Sequence, residues 1–231
     1  MKLLLLPGMD GTSRLFEPLI AALPPQLKAV TVAYPSDKSF GYEELLPIVE
    51  NAVPSGPFVV VGESFSGPLA VMLSARHPPG LCGIVLCASF VQSPLKLPER
   101  WRMSVGPWIF SLQPLWILSW ILLGSYSFGH LGAMARSVVR SISPAALAAR
   151  TRAVLGVDVT NELRACKVPI FYLQANRDLV VRTNCWELVK SVRPDAKVEM
   201  LAGPHLILQT APTAAAAALE AFCENVTMPY K

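Results

Sequence analysis

The amino-acid sequence predicts an α/β fold: a doubly wound, mostly parallel six-stranded sheet with helices on both faces. Three observations carry this. Six short apolar runs, most of them bounded by Pro or Gly, are too short for helices and alternate with segments of helical apolar spacing. Short parallel strands need crossover helices, which the alternation supplies. The rhythm breaks once, from about residue 94 to 163, where no convincing strand occurs, so this block reads as an insertion over one edge of the sheet.

In order along the chain, Leu3 to Leu6 is bounded by Pro7-Gly8 and fits a strand buried on both faces. A glycine-rich loop follows, Pro7-Gly8-Met9-Asp10-Gly11-Thr12. Leu15, Phe16, Leu19, Ile20 and Leu23 then recur at helical spacing until Pro24-Pro25. Ala29 to Tyr34 is a second strand closed by Pro35. About Tyr42 to Val53 is a helix in which Pro47 must cause a kink or mark a later start. Phe58 to Val61 is the third strand, and the helix after it stops at His77, before Pro78-Pro79-Gly80. Ile84 to Ala88 is the fourth strand. Beyond the insertion come strand Ile170 to Gln174, a turn at Ala175 to Asp178 and a helix from about Thr183 to Val192. Strand Val198 to Leu201, a turn at Gly203-Pro204-His205 and an alanine-rich helix from about Ala211 to Glu224 complete the series. The expected organisation is a core of residues 1–93 and 164–231 with a helical cap, residues 94–163.

Composition narrows the function classes. At 231 residues the chain suits one domain with an inserted sub-domain, and its 52% apolar content means that this surface is covered or used. A formal charge of +4, without a long basic run or basic-aromatic interleaving, sets nucleic acid aside. The five cysteines, Cys82, Cys87, Cys166, Cys185 and Cys223, are scattered and lack C-x-x-C spacing. They read as core hydrophobes in a reducing compartment, with neither a disulfide framework nor a metal site. The apolar run at the start ends at Pro7-Gly8 with no small-residue cleavage site, which fits a core strand rather than a signal peptide. A cytoplasmic location is the expectation.

The chemistry centres on Gly62-Glu63-Ser64-Phe65-Ser66-Gly67, a Gly-x-Ser-x-Gly turn between a strand and an apolar helix. A turn this sharp lifts the serine hydroxyl clear of the backbone, and the glycines are required because a side chain there would collide with the packed strand or helix. The blander reading is an ordinary strand-to-helix turn with an incidental serine. Against it, Ser64, Asp178 and His205 all fall just beyond a strand's carboxyl end, where open parallel sheets bind ligands. Ser64 then serves as nucleophile, His205 as base and Asp178 as the carboxylate that orients the imidazole. His77 reads as a helix C-terminal residue and His130 as part of the insertion. Asp158 is the rival acid, with a solvated or capping role as its plainer reading. A tetrahedral intermediate needs backbone N–H donors; the amides of Phe65 and of Met9, in the loop after the first strand, are the candidates, with Asp10 structural within that loop.

On these residues the chain resembles the α/β-hydrolase superfamily, specifically small serine esterases and lipases with a helical cap. The resemblance spans the Leu-Pro-Gly-Met-Asp-Gly loop, the Ser64 turn, Asn176-Arg177-Asp178, Gly203-Pro204-His205 and the position of the insertion. It implies an acyl-enzyme on Ser64 and no metal or organic cofactor. Two departures are the Pro7-Gly8 pair, where the family usually carries His-Gly, and a start without the family's N-terminal antiparallel hairpin.

Val105 to Gly124 is uncharged over twenty residues, the length of a membrane span. A crossing there would separate Ser64 from Asp178 and His205, and Pro107, Gln113 and Pro114 suit a broken cap helix, so a lid is expected. Trp108, Trp116 and Trp120 are candidate substrate contacts. The charges from Lys96 to Arg152 are Lys96, Glu99, Arg100, Arg102, Arg136, Arg140, Arg150 and Arg152. Such a basic, Trp-rich cap suits peripheral contact with lipid, and a solvated helical face is the plainer account. The expected activity is hydrolysis of short to medium acyl esters. The alternatives are a thioesterase or acyltransferase on the same residues, and an idle ligand-binding or membrane-associated protein. A carboxylate-nucleophile dehalogenase is disfavoured by serine at position 64.

Overall fold

The computed structural model describes residues 1–95, 98–111 and 114–227. Lys96 and Gln113, used above for the charge and helix-breaking arguments of the cap, lie outside them. The elements run β1 (Lys2–Leu6), α1 (Glu17–Ala22), β2 (Lys28–Thr31), α2 (Tyr42–Asn51), β3 (Phe58–Glu63), α3 (Gly67–Ala75) and β4 (Leu81–Cys87). Between β4 and β5 come α4 (Glu99–Met103), α5 (Pro107–Ser111), α6 (Leu115–Leu123), α7 (His130–Arg140), α8 (Pro144–Gly156) and α9 (Thr160–Ala165). The chain then returns through β5 (Ile170–Ala175), α10 (Asn184–Val192), β6 (Lys197–Leu201), α11 (Ile207–Thr210) and α12 (Pro212–Thr227).

All six strands are parallel, in the order β2-β1-β3-β4-β5-β6. Strand alternation explains their unbroken apolar sequences. Leu4, Leu6, Val60, Leu86 and Tyr172 pack on one face with Leu45 and Val49 of α2, Leu69 of α3 and Val189 of α10. Leu3, Leu5, Val59, Val61, Val85 and Phe171 pack on the other with Leu19 of α1 and Leu219 and Phe222 of α12. Each leucine of β1 is fully buried, and burying one such side chain contributes about 1.5–3 kcal/mol. The edge strand β6 is exposed along most of its length and carries Lys197 and Glu199, charges that discourage pairing with another chain.

After β1 the chain turns outward to β2, then crosses to the opposite side of β1 to form β3. The loops following β1 and β3 therefore diverge, leaving a crevice at the carboxyl ends of these strands. Leu6 pairs with Gly62, so the two strands end nearly level. This crevice is where the glycine-rich loop meets the Ser64 turn.

The second strand is shorter than its apolar run, ending at Thr31, and α2 runs through Pro47 as one helix from Tyr42. Its start is fixed by Glu44, whose carboxylate accepts from the Gly41 N–H at 2.9 Å. Among its described residues the uncharged stretch of the insertion holds the helices α5 and α6, with Pro114 ahead of α6. Among the described residues no helix is long and apolar enough to cross a membrane. Helix α9 packs on α3, and its Leu163 joins the buried layer beneath the sheet.

Candidate active site

The Ser64 turn is strained and pinned. Ser64 has φ +48°, a left-handed conformation that costs a non-glycine residue about 1–3 kcal/mol. The flanking glycines make the turn sterically feasible: a Cβ on Gly62 would lie 2.6 Å from the Ser66 carbonyl oxygen, and one on Gly67 only 1.8 Å from Ser89 Oγ. Ser89 Oγ itself donates to the Ser64 carbonyl at 2.5 Å, and Tyr172 donates through its hydroxyl to the Ser89 carbonyl. Behind the turn, Tyr42 stacks on Phe65 at 4.8 Å and donates to its carbonyl at 3.0 Å. These contacts hold the serine in its strained position.

Two later loops bring the partners. Asp178 follows β5 and His205 follows β6, and both side chains are almost fully buried. His205 Nδ1 is 2.7 Å from Asp178 Oδ2, and His205 Nε2 is 2.8 Å from Ser64 Oγ. An ionised carboxylate only accepts, so the proton sits on Nδ1 and leaves Nε2 free to accept from the serine hydroxyl. The other oxygen of Asp178 accepts from the amides of Val180 at 2.7 Å and Val181 at 2.8 Å, which fixes the carboxylate's orientation. The two loops are tied together: Arg177 N–H donates to the Gly203 carbonyl, and Gly203 N–H donates to Asn176 Oδ1, each at 3.0 Å. The Leu206 amide reaches the insertion, donating to the Leu122 carbonyl of α6 at 3.1 Å.

In the loop after β1, every carbonyl from Pro7 to Gly11 is engaged. Ser66 Oγ donates to Pro7, Gly11 N–H to Gly8, Arg150 Nη1 to both Met9 and Asp10, and Tyr34 N–H to Gly11. Asp10 is a local brace, its carboxylate accepting from the Thr12 N–H at 2.9 Å and hydroxyl at 2.8 Å. Neither the Met9 nor the Phe65 amide donates to another described residue. The position a side chain on Gly8 would occupy lies 4.0 Å from Ser64 Cβ, so the loop flanks the serine. Proline at position 7 costs nothing here, because only its carbonyl is used.

Three features escaped the sequence reading. Arg150 is fully buried rather than part of a solvated face. Glu63 is 2% exposed, and burial pushes its carboxyl up to about 8; the Gln209 amide and Gly8 N–H oppose this and the Asp10 charge adds to it. Gln209 lies beside Glu63 without closing a well-formed hydrogen bond: its two polar side-chain atoms and Glu63 Oε1 are buried without a partner among the described residues. The role of Ser89 was equally invisible. A glutamate next to the serine was legible as a residue, but its burial depends on loops far away in sequence.

The rival residues lie outside this hydrogen-bonded series. Asp158 accepts from the Thr160 N–H and hydroxyl and from Gln92, bracing the start of α9. His77 ends α3 in a left-handed conformation, φ +51°, and exposed His130 opens α7. Trp108 and Trp116 are 63% and 68% exposed. Trp120 borders a cavity of about 460 Å³ together with Tyr126, Asn176, Arg177, Asp178 and Pro204, between α6 and the Asp178 loop.

Neither a protein-family model nor a curated protein sequence matches the chain. Solved structures do. An esterase from Thermogutta terrifontis aligns with TM-score 0.82 at 16% identity, covering 99% of this chain and 91% of that one. A bromoperoxidase from Bacillus anthracis aligns with TM-score 0.82 at 15% identity, covering 96% and 91%. An enol-lactonase from Burkholderia xenovorans aligns with TM-score 0.79 at 16% identity, covering 96% and 91%. With its all-parallel six-stranded sheet and near full-length alignment to these structures, the chain has the α/β-hydrolase fold.

Proposed function

We propose that the protein is a serine hydrolase that cleaves carboxylic esters of short to medium acyl chains. The observation that carries this reading is the Ser64–His205–Asp178 series, with 2.8 and 2.7 Å contacts on a strained turn. In the reaction Ser64 Oγ attacks the ester carbonyl carbon while His205 Nε2 takes its proton. The carbonyl π electrons move to oxygen, and the Met9 and Phe65 amides receive the resulting oxyanion. Collapse expels the alcohol, protonated by His205, and leaves an acyl-enzyme. Water, deprotonated by the same imidazole, then releases the acid and restores Ser64. Asp178 holds the Nδ1 proton throughout and stabilises the imidazolium.

A thiol leaving group or an alcohol acceptor would use the same residues, so thioesterase and acyltransferase activities are the neighbouring readings. The test is labelling by a fluorophosphonate together with turnover of a chain-length series of p-nitrophenyl esters. Labelling and turnover abolished by Ser64→Ala support the enzyme. A folded protein that neither labels nor turns over any ester would make it a ligand-binding protein on this scaffold. The cap extends the proposal: Trp101, Trp108, Trp116 and Trp120 are 50–68% exposed, a disposition suited to contact with lipid, and exposed basic residues of the segment such as Arg100 and Arg140 suit an anionic surface.

A further inference from the structure

We propose that Arg150, contributed by helix α8 of the insertion, is the positioning residue that sets the oxyanion loop. The inference rests on the reading of Ser64 as nucleophile. Its basis is the way the guanidinium is used. From a fully buried position, Nη1 donates to the carbonyls of Met9 at 2.8 Å and Asp10 at 3.1 Å, while Nη2 donates to the Pro35 carbonyl at 2.9 Å. The group also lies over the Tyr34 ring, 5.8 Å from its centroid, with the Asp10 charge close by. One side chain thus ties two consecutive peptide groups next to the Met9 amide to the segment after β2.

The loop is shaped around this group. Gly11 has φ +69°, and a Cβ there would lie 2.6 Å from Arg150 Nη1, so the close approach requires glycine. With Gly11 N–H on the Gly8 carbonyl and Arg150 on the next two, the peptide planes on both sides of Met9 are fixed and its N–H donates to no described residue. Thr151 Oγ1 approaches Met9 Sδ at 3.7 Å, and Met9 packs against the buried cluster of Ile142, Ala146 and Leu147 at the start of α8. Stability alone does not call for an arginine here. Burying a guanidinium is costly, its Nε has no partner among the described residues, and well-packed apolar groups commonly serve a core as well or better. A planar fork that spans several carbonyls is what orientation requires and what lysine cannot reproduce.

The same helix carries the cap. Arg152 Nη1 donates to the Val105 carbonyl between α4 and α5 at 2.7 Å, and α8 packs against both helices. Oxyanion geometry is therefore linked to the seating of the insertion.

The test compares wild type, Arg150→Lys and Arg150→Met on p-nitrophenyl butyrate, with folding checked by circular dichroism and melting. The expected result is a kcat lower by about 100-fold in Arg150→Met, the scale of losing one oxyanion donor, with KM changed less than about threefold. Arg150→Lys falls between. Affinity for an alkylboronic acid, which forms a tetrahedral adduct with a serine nucleophile, drops in parallel with kcat. Added methylguanidinium restores part of the kcat of Arg150→Ala. A residue that only braces the fold would lower the melting temperature without these effects. If Arg150→Met does not fold, Arg150→Lys and the boronate affinity decide. Folded variants with kcat within about threefold of an active wild type overturn this inference alone; a wild type that neither labels nor hydrolyses esters overturns the Ser64 reading and this inference with it.

Discussion

Replacing Glu63 by glutamine tests the electrostatics beside Ser64. The carboxyl is buried at the end of β3, and its value is pushed from an ordinary 4.5 up to about 8. The folded protein therefore keeps a proton at this site across a pH range in which the unfolded chain has released it. The stability linked to that proton is fully present below about pH 4.5 and is lost as pH rises through about 8. At about 1.36 kcal/mol per pH unit, the interval sets an upper bound on the order of 5 kcal/mol between acidic and alkaline limits. Glutamine cannot ionise and keeps the shape. The assay is urea unfolding of wild type and Glu63→Gln from pH 5 to 9; taking the difference between the two proteins cancels titration of the shared groups. The variant is expected to gain on wild type by up to about 1.4 kcal/mol for each pH unit between 5 and 8, levelling off above. Parallel curves over this range would refute the assignment of a neutral buried Glu63.

Two further outcomes follow from the contacts described. Gly67→Ala places a Cβ 1.8 Å from Ser89 Oγ, an overpacking expected to cost about 1–3 kcal/mol in melting or denaturant experiments. Adding Ser89→Gly should recover part of that stability but not the activity, because the Ser64 carbonyl loses its donor; a neutral Gly67→Ala would contradict the turn's geometry. Anionic phosphatidylglycerol vesicles should shift tryptophan emission to the blue, less so at high salt, as the exposed indoles enter the interface. No shift on anionic or zwitterionic vesicles would rule out lipid contact by the cap.

Much of the fold was readable because its signals are local. Four-residue runs such as Val59–Val61 with Phe58, set between Pro57 and Gly62, could only be strands buried on both faces, and the helices between them required a parallel sheet. The juxtaposition of Ser64, Asp178 and His205 followed from topology, since residues just past the strands of a parallel sheet share one edge. Arg150 was not readable this way. It reaches Met9 across 141 positions, and on α8 it follows Ala148 and Ala149 as one more basic residue of a helix that looked solvated. Burial of a charge is decided by what folds over it, and local periodicity carries no such information. Of the two outcomes a local rule allows at Pro47, the later start does not occur: packing of Leu45, Leu46 and Val49 holds α2 through it from Tyr42.

The hydrogen bond from the Leu206 amide to the Leu122 carbonyl bears on how such a protein can be re-engineered. It joins the residue after His205 to α6, so the insertion supports the imidazole's loop while also lying over it. Transplanting a foreign cap onto this core would remove that support. A workable graft has to supply a backbone acceptor at the position of Leu122, and residues 94–163 are best exchanged in pieces that leave the end of α6 in place.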